Sequence, residues 1–142
     1  DVAPSRGLGD VYKRQVLMLN GSPRKDGNTS IAVLDRLFYS SHFDKTMKVG
    51  VSVVCARRGG CSATFDELNK YFTISNMPIA SSQYWNSIHG RAQGEAEMDE
   101  EGKQTMRVLA RNMVFLMKSI ALGKEKFGLP ETEERVATHF IR

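Results

Sequence analysis

The stretch that decides the fold runs from Val16 to Ser30 and reads VLMLNGSPRKDGNTS. Its first four residues, 16–19, are wholly apolar, as a central strand of a parallel sheet requires because helices cover such a strand on both faces. A loop rich in glycine and hydroxyl groups follows, and the apolar residues Ile31 and Leu34 then recur at helical spacing. The stretch therefore predicts a strand, a loop and the start of a helix.

The loop carries the groups that bind a phosphate at the beginning of a helix. A helix N-terminus presents free backbone N–H groups and a partial positive charge, Gly27 permits close backbone approach, and Asn28 or Thr29 can cap the helix. The loop matches neither the dinucleotide nor the nucleoside-triphosphate motif, which leaves a terminal phosphate monoester such as that of flavin mononucleotide (FMN). The candidate residues are Ser22, Pro23, Arg24, Gly27, Asn28, Thr29 and Ser30. An ordinary strand-to-helix turn is the alternative, because turns are rich in the same residue types.

Two more strands are predicted further along the chain. The run KVGVSVVCA at residues 48–56 is apolar and β-branched, and it ends at the cationic glycine loop Arg57–Gly60. Ser62 can cap a helix over residues 64–74, whose aromatic residues at helical spacing favour a role in the core over a stacking surface. Residues 79–82 predict the third strand. Ligands of open α/β sheets bind beyond the carboxyl ends of strands, where glycine-rich or aromatic loops follow all three predicted strands.

The clearest helix is predicted over residues 99–126. Acidic residues begin it, and Gly123 with two nearby lysines marks its end. Its apolar face is predicted to contain Met106, Leu109, Ala110, Met113, Met117 and Ile120. The methionines are interpreted as core residues and His89, before this helix, as a plain loop residue.

Composition narrows the class of protein. The chain has 142 residues, a net charge of +4, 41% hydrophobic and 25% charged residues, which indicates one soluble domain and excludes a disordered or fibrous chain. No apolar run approaches the roughly 20 residues of a membrane-spanning helix. The positive excess is small and spread along the chain, so it suits an anionic small ligand at least as well as nucleic acid. Cys55 and Cys61 match no metal-ligand spacing and favour a reducing cytoplasm.

The opening stretch resembles the N-terminal signature of the NADPH-dependent FMN reductase and iron–sulfur flavoprotein group of flavodoxin-like proteins. That signature is a strand followed by G-S-P-R-x-x-G-N-[ST], and residues 21–29 match the nine positions after the strand without a gap. The later segments, including the last helix, are similar to the C-terminal half of the same family. The resemblance implies FMN as the cofactor and NAD(P)H as the electron donor. It places four residues beside the flavin ring, namely Arg57, Arg58, Gly59 and Gly60. It places Tyr84, Trp85 or Asn86 at the border of the ring or of a partner subunit.

The implied fold is a flavodoxin-like three-layer α/β sandwich with a parallel sheet, of which only three of the five strands have candidates. The junction near residues 34–35 looks like an internal deletion of strands 2 and 3, so the first two strands present must pair directly or leave edges unpaired. We therefore expect a reduced FMN-binding domain at residues 16–128, preceded by a non-native leader at 1–15 and followed by a C-terminal tail at 129–142. The family's cluster cysteines would fall in the missing region, so no iron–sulfur cluster is expected.

The function that the resemblance implies is electron transfer from NAD(P)H through flavin to a quinone, a nitro compound or another small acceptor. It implies a cytoplasmic homodimer that binds neither nucleic acid nor membrane. No catalytic side chain and no metal is expected, because the cofactor supplies the chemistry. One alternative is a flavodoxin-type electron carrier, which the charge of +4 disfavours because such carriers are acidic. The other is a truncated fragment without a competent flavin site.

Overall fold

The computed structural model describes residues 17–21, 34, 36–40, 42, 44–134 and 136–140. Within them lies a parallel sheet of three strands in the order β1 (Leu17–Gly21), β2 (Gly50–Ala56) and β3 (Ser87–His89). Leu17 pairs with Gly50 and Gly21 with Val54, while Val54 pairs with Ser87 on its other side. The first two strands therefore pair directly, which is the arrangement expected if the strands between them are absent.

Two long helices cover the two faces of the sheet, α1 (Cys61–Ile74) on one side and α2 (Glu100–Phe127) on the other. Alternate residues of β2 separate the two cores: Val54 packs with Phe72 of α1, whereas Val51 packs with Leu109 of α2. Phe72 and both valines are completely or almost completely buried. The predicted mixed α/β fold with a small parallel sheet is confirmed.

The aromatic residues of α1 belong to the core, as predicted. Tyr71 and Phe72 are buried, and the ring of Phe38, from the helical residues 36–40, lies 5.4 Å and 5.8 Å from their ring centroids. The predicted start of α1 is wrong, because the helix begins at Cys61 and places Ser62 in its first turn. Its N-cap is Gly60, at φ 91°, which is a left-handed conformation that glycine adopts at little cost.

The last helix is also confirmed, with differences in detail. Asp99 is its N-cap and accepts a hydrogen bond from the Gly102 N–H. Gly123 lies inside the helix, which continues to Phe127 and ends at Gly128. Ala110 is exposed, and Leu116 packs on the core in its place, because the buried stripe drifts around a helix this long.

The third strand does not lie where the sequence predicts it. Ile79 makes one parallel bridge to Gly50, and the chain then leaves the sheet before β3 begins at Ser87. Within this excursion, the Ser82 hydroxyl donates to Asn86 Oδ1 at 2.7 Å, and the Asn86 carbonyl accepts from the Val54 N–H at 2.9 Å. A side-chain hydrogen bond of this kind competes with regular strand pairing.

Several sequence predictions fall on parts of the chain that are not described. The leader at 1–15 and the loop at 22–30 lie outside the described residues. Of the helix expected to span the junction near 34–35, Leu34 and residues 36–40 are helical. The tail after Pro130 is exposed wherever it is described. Among the described helices, none has both the length and the apolar character needed to cross a membrane.

Candidate anion-binding site at the carboxyl edge of the sheet

The carboxyl ends of β2 and β3 open into a common cavity. Ala56 pairs with His89, so the loops that follow these two residues leave the same edge of the sheet. β1 ends at Gly21 opposite Val54, close to the same edge. This is the position at which parallel α/β sheets bind ligands.

The cavity has a volume of about 420 Å³ and is a shallow depression, largely open to solvent. Its walls are formed by the loop after β2, by the end of β3 with the loop that follows, and by the residues that lead into α2. The lining residues are Arg57, Arg58, His89, Gly90, Arg91, Glu95, Met98 and Asp99. Two of the predicted site residues, Arg57 and Arg58, therefore line it, whereas Gly59 and Gly60 are not among its lining residues.

Three exposed arginines line this cavity, namely Arg57, Arg58 and Arg91. In the part of the chain that the structure describes, none of the three is ion-paired with a carboxylate. Arginine stays charged at all physiological pH values and offers a planar set of donors that matches carboxylate and phosphate oxygens. Among the described residues the cavity therefore presents three arginines that form no ion pair.

The two carboxylates of the cavity wall already accept hydrogen bonds from the backbone. Glu95 Oε2 accepts from the N–H groups of Ala92 at 3.0 Å and Arg91 at 2.6 Å, and these bonds hold the pKa of Glu95 below its usual value. Asp99 Oδ1 accepts from the Gly102 N–H at 2.8 Å, and Oδ2 accepts from the His89 N–H at 2.7 Å. Both carboxylates stay ionised and fix the loops, and three guanidinium groups outnumber them.

His89 is placed differently from the sequence interpretation. It is the last residue of β3, and its ring lies between two other polar groups: Nε2 is 3.7 Å from Cys61 Sγ, and Nδ1 is 3.7 Å from Asp99 Oδ2. Burial, with a contribution from Cys55, raises the pKa of the Cys61 thiol, so this cysteine stays protonated near neutral pH. We interpret Cys61 as a structural thiol at the start of α1.

The aromatic residues before β3 do not line this cavity. Tyr84 and Trp85 pack on each other with ring centroids 4.7 Å apart, at the end of β3 that is away from the cavity. Asn86 is only 1% exposed and belongs to the interior. The expectation that these residues border a flavin ring or a partner subunit stays a prediction.

Sequence reasoning missed Arg91, His89 and the two carboxylates as site residues. In the sequence, the only local sign of a site at Arg91 is the glycine that precedes it, and a glycine followed by an arginine is too common to indicate a site. The predicted phosphate-binding residues Ser22, Pro23, Arg24, Gly27, Asn28, Thr29 and Ser30 lie outside the described residues.

The Asp99 carboxylate joins β3 to α2 through two hydrogen bonds. The loss of unfolding free energy on replacing Asp99 should therefore depend on pH. The N–H groups of Gly102 and then His89 hold the pKa of Asp99 below its usual value of 3.8, so the stabilisation is fully present above that value and is lost as the pH falls below it. We expect Asp99→Ala to lower the free energy of unfolding by about 1–2 kcal/mol at pH 7. The difference from the parent protein shrinks as the pH falls below about 3.8. Urea unfolding measured from pH 7 down to pH 3 checks both statements.

Glu100→Ala is the matched control, because this neighbouring carboxylate is 77% exposed and pairs only with Lys103 among the described residues. It should change the free energy of unfolding by no more than about 0.5 kcal/mol. A loss in Asp99→Ala that is the same at pH 7 and pH 3 would show that the carboxylate charge does not matter.

No group of three or more His, Cys, Asp or Glu side chains that could hold a metal ion occurs among the described residues. Comparison of the chain with protein-family models, curated proteins and solved structures yields no match.

Proposed function

We propose that the chain is an FMN-binding oxidoreductase with a reduced flavodoxin-like fold, which passes electrons from NAD(P)H through flavin to a small acceptor. The observation that carries this proposal is the shared edge of the sheet. β1 leads directly into the loop at residues 22–30, and it pairs with β2, whose own end carries Arg57 and Arg58. The expected phosphate loop after β1 and the expected ring-binding loop after β2 thus follow neighbouring strands.

The described residues fit the anionic character of this cofactor. Residues 22–30 would hold the phosphate, and the loop Arg57–Gly60 would lie beside the ring. Bound FMN would supply hydride acceptance and onward electron transfer. The guanidinium groups and the backbone N–H groups of this chain would stabilise the negative charge of the reduced ring.

Cellular location and subunit number belong to the same proposal. Cys55 lies in β2, Cys61 begins α1, and both thiols are free. Free thiols are typical of a reducing compartment. We propose the cytoplasm as the location and a homodimer as the assembly.

Titration of the purified chain with FMN, followed by flavin fluorescence, tests the proposal. We expect the fluorescence to be quenched on binding and Asn28→Ala to weaken the affinity about tenfold, which is the effect of losing about one hydrogen bond to a charged group. Arg57→Gln should also weaken binding. Arg111→Gln, an exposed change on α2, is the control and should bind as the parent does.

Two outcomes separate the other functions considered. Fluorescence that is unquenched at high protein concentration overturns the proposal and favours a fragment without a flavin site. Flavin binding without NAD(P)H oxidation in the presence of a quinone indicates an electron carrier.

A further inference from the structure

We infer that the C-terminal tail of a second copy of this chain covers the outer face of α2, and that the exchange of two tails holds the proposed homodimer together. The inference rests on the homodimer of the proposed function, whose contact surface it names, and it does not require bound flavin. The outer face is the exposed side of α2, opposite the side that packs on the core, and it consists of Arg111, Phe115, Lys118, Leu122 and Lys126.

The second half of α2 is apolar on both of its sides. Its inner side packs on the core through Met113, Leu116, Met117 and Ile120. On the outer face, whose residues follow one another at steps of three or four, Phe115 is 73% exposed and Leu122 is 64% exposed. A helix that is apolar all round is normally buried on all sides. The described residues of a single chain therefore leave the outer face without a cover.

The tail carries the same kind of exposed apolar surface. Val136 is 88% exposed and Phe140 is 90% exposed, and every described residue after Pro130 is exposed, so the described tail does not pack on the α2 of its own chain. In an extended segment, residues four apart lie on one side at about 13 Å from each other, and seven residues of helix span about 10 Å. Val136 and Phe140 are therefore spaced suitably to contact Phe115 and Leu122 of another copy.

Charge selects the tail rather than a second α2 helix as the cover. The outer face carries three cations and no acid, and none of the three is in an ion pair among the described residues. Two α2 helices packed on these faces would bring like charges together. The tail begins instead with three acids that also form no ion pair within the described chain, namely Glu131, Glu133 and Glu134. The tail of one copy and the outer face of another are thus complementary in charge as well as in apolar surface.

An exchange of two tails gives a closed pair of sufficient size. Each copy provides one tail and one outer face, so a twofold pair covers both surfaces on both copies. The four exposed apolar side chains of one copy present on the order of 500 Å² to solvent, so the pair would bury about 1,000 Å² through these side chains alone. About 1,000 Å² is the size that a specific interface needs.

Sedimentation velocity of the full chain, with and without FMN, measures the dissociation constant of the dimer. We expect a dimer in both conditions, and we expect Phe140→Ala and Phe115→Ala each to raise the dissociation constant at least tenfold, as the loss of a central aromatic anchor does. Glu133→Lys should also weaken the dimer, because the new cation is repelled by the outer face. Circular dichroism during thermal unfolding confirms that each variant is folded.

Tyr39→Ala is the matched control. Tyr39 is also a large exposed side chain, at 64%, but it belongs to the helical residues 36–40, whose Phe38 packs with Tyr71 of α1 on the other side of the sheet. This variant should leave the dissociation constant unchanged. A dimer that Phe140→Ala and Phe115→Ala weaken no more than Tyr39→Ala does uses another surface, and the inference is then wrong.

Mixing the two variants tests whether the tail crosses between copies. A mixed pair of one Phe115→Ala chain and one Phe140→Ala chain keeps one intact contact, between the tail of the first chain and the outer face of the second. Because both residues act in the same contact, an equimolar mixture should dimerise more strongly than either variant alone. No gain on mixing overturns the exchange.

Three other results separate this inference from the proposed function and from other partners. If the chain dimerises as described but leaves flavin fluorescence unquenched, flavin binding fails and the tail exchange stands. If FMN binds to a chain that stays monomeric, the inference is overturned and electron transfer through flavin stands. A monomer that binds vesicles of phosphatidylserine and phosphatidylcholine, and loses this binding in Phe115→Ala, also overturns it, because a lipid surface then covers the outer face.

Discussion

Gly50→Ala is expected to lower the free energy of unfolding by about 3 kcal/mol, the upper end of the cost of overpacking a core. A Cβ at this position would lie 2.5 Å from Cγ and 2.6 Å from Cδ1 of Phe72, whose side chain is fully buried. The backbone cannot retreat, because the Gly50 N–H donates to the Pro78 carbonyl at 2.8 Å and its own carbonyl accepts from Ala80 at 3.0 Å. Urea unfolding followed by circular dichroism measures the loss.

Two further variants show whether the ring contact is the cause. Gly59→Ala adds the same methyl group at an exposed position with no atom within 4 Å, and should change the free energy of unfolding by less than about 0.5 kcal/mol. Phe72→Leu in the Gly50→Ala background makes room for the new methyl group. The double variant should therefore lose less than the sum of the two single changes. Strict additivity would place the cause elsewhere.

The second large effect is expected at Gly102, in the first turn of α2. An added Cβ would lie 2.8 Å from Asp99 Cγ and 2.9 Å from Ile88 Cγ1, so it displaces the carboxylate that caps the helix. We expect Gly102→Ala to lower the free energy of unfolding by about 2 kcal/mol, since the cap and the bond to the His89 N–H are both lost. Thermal or urea unfolding at pH 7 gives the value.

The same substitution elsewhere in α2 should have the opposite sign. Gly123 lies inside the helix with no atom within 4 Å of a new Cβ, so Gly123→Ala removes only the conformational freedom of glycine. It should raise the free energy of unfolding by about 0.5–1 kcal/mol. If both Gly102→Ala and Gly123→Ala raise the free energy of unfolding, the close contact between a Cβ at position 102 and Asp99 does not destabilise the protein.

The elements that sequence reasoning predicted well are those in which the hydrophobic pattern is long and local. The β-branched run of β2 and the apolar stripe of α2 both appear within two residues of their predicted bounds. The position of Arg57 and Arg58 at the carboxyl edge of the sheet could be predicted, because they directly follow a strand end and such ends lie at one edge of a parallel sheet.

The parts that could not be predicted depend on contacts between distant residues. β3 is only three residues long and polar at both ends, so its pairing with β2 leaves no periodic signal. His89 meets Cys61 and Asp99 only because β3, α1 and α2 converge at one edge of the sheet. Gly123 resembled a helix end, but a glycine inside a helix costs only about 1 kcal/mol, and α2 continues past it to Phe127.

The two oxygens of Asp99 bind one amide from β3 and one from α2. If either β3 or the first turn of α2 opens here, it separates from the Asp99 carboxylate, which also accepts a hydrogen bond from the other element. Local fraying of the helix and detachment of the edge strand therefore become a single cooperative event, so the amide hydrogens of His89 and Gly102 exchange with solvent together.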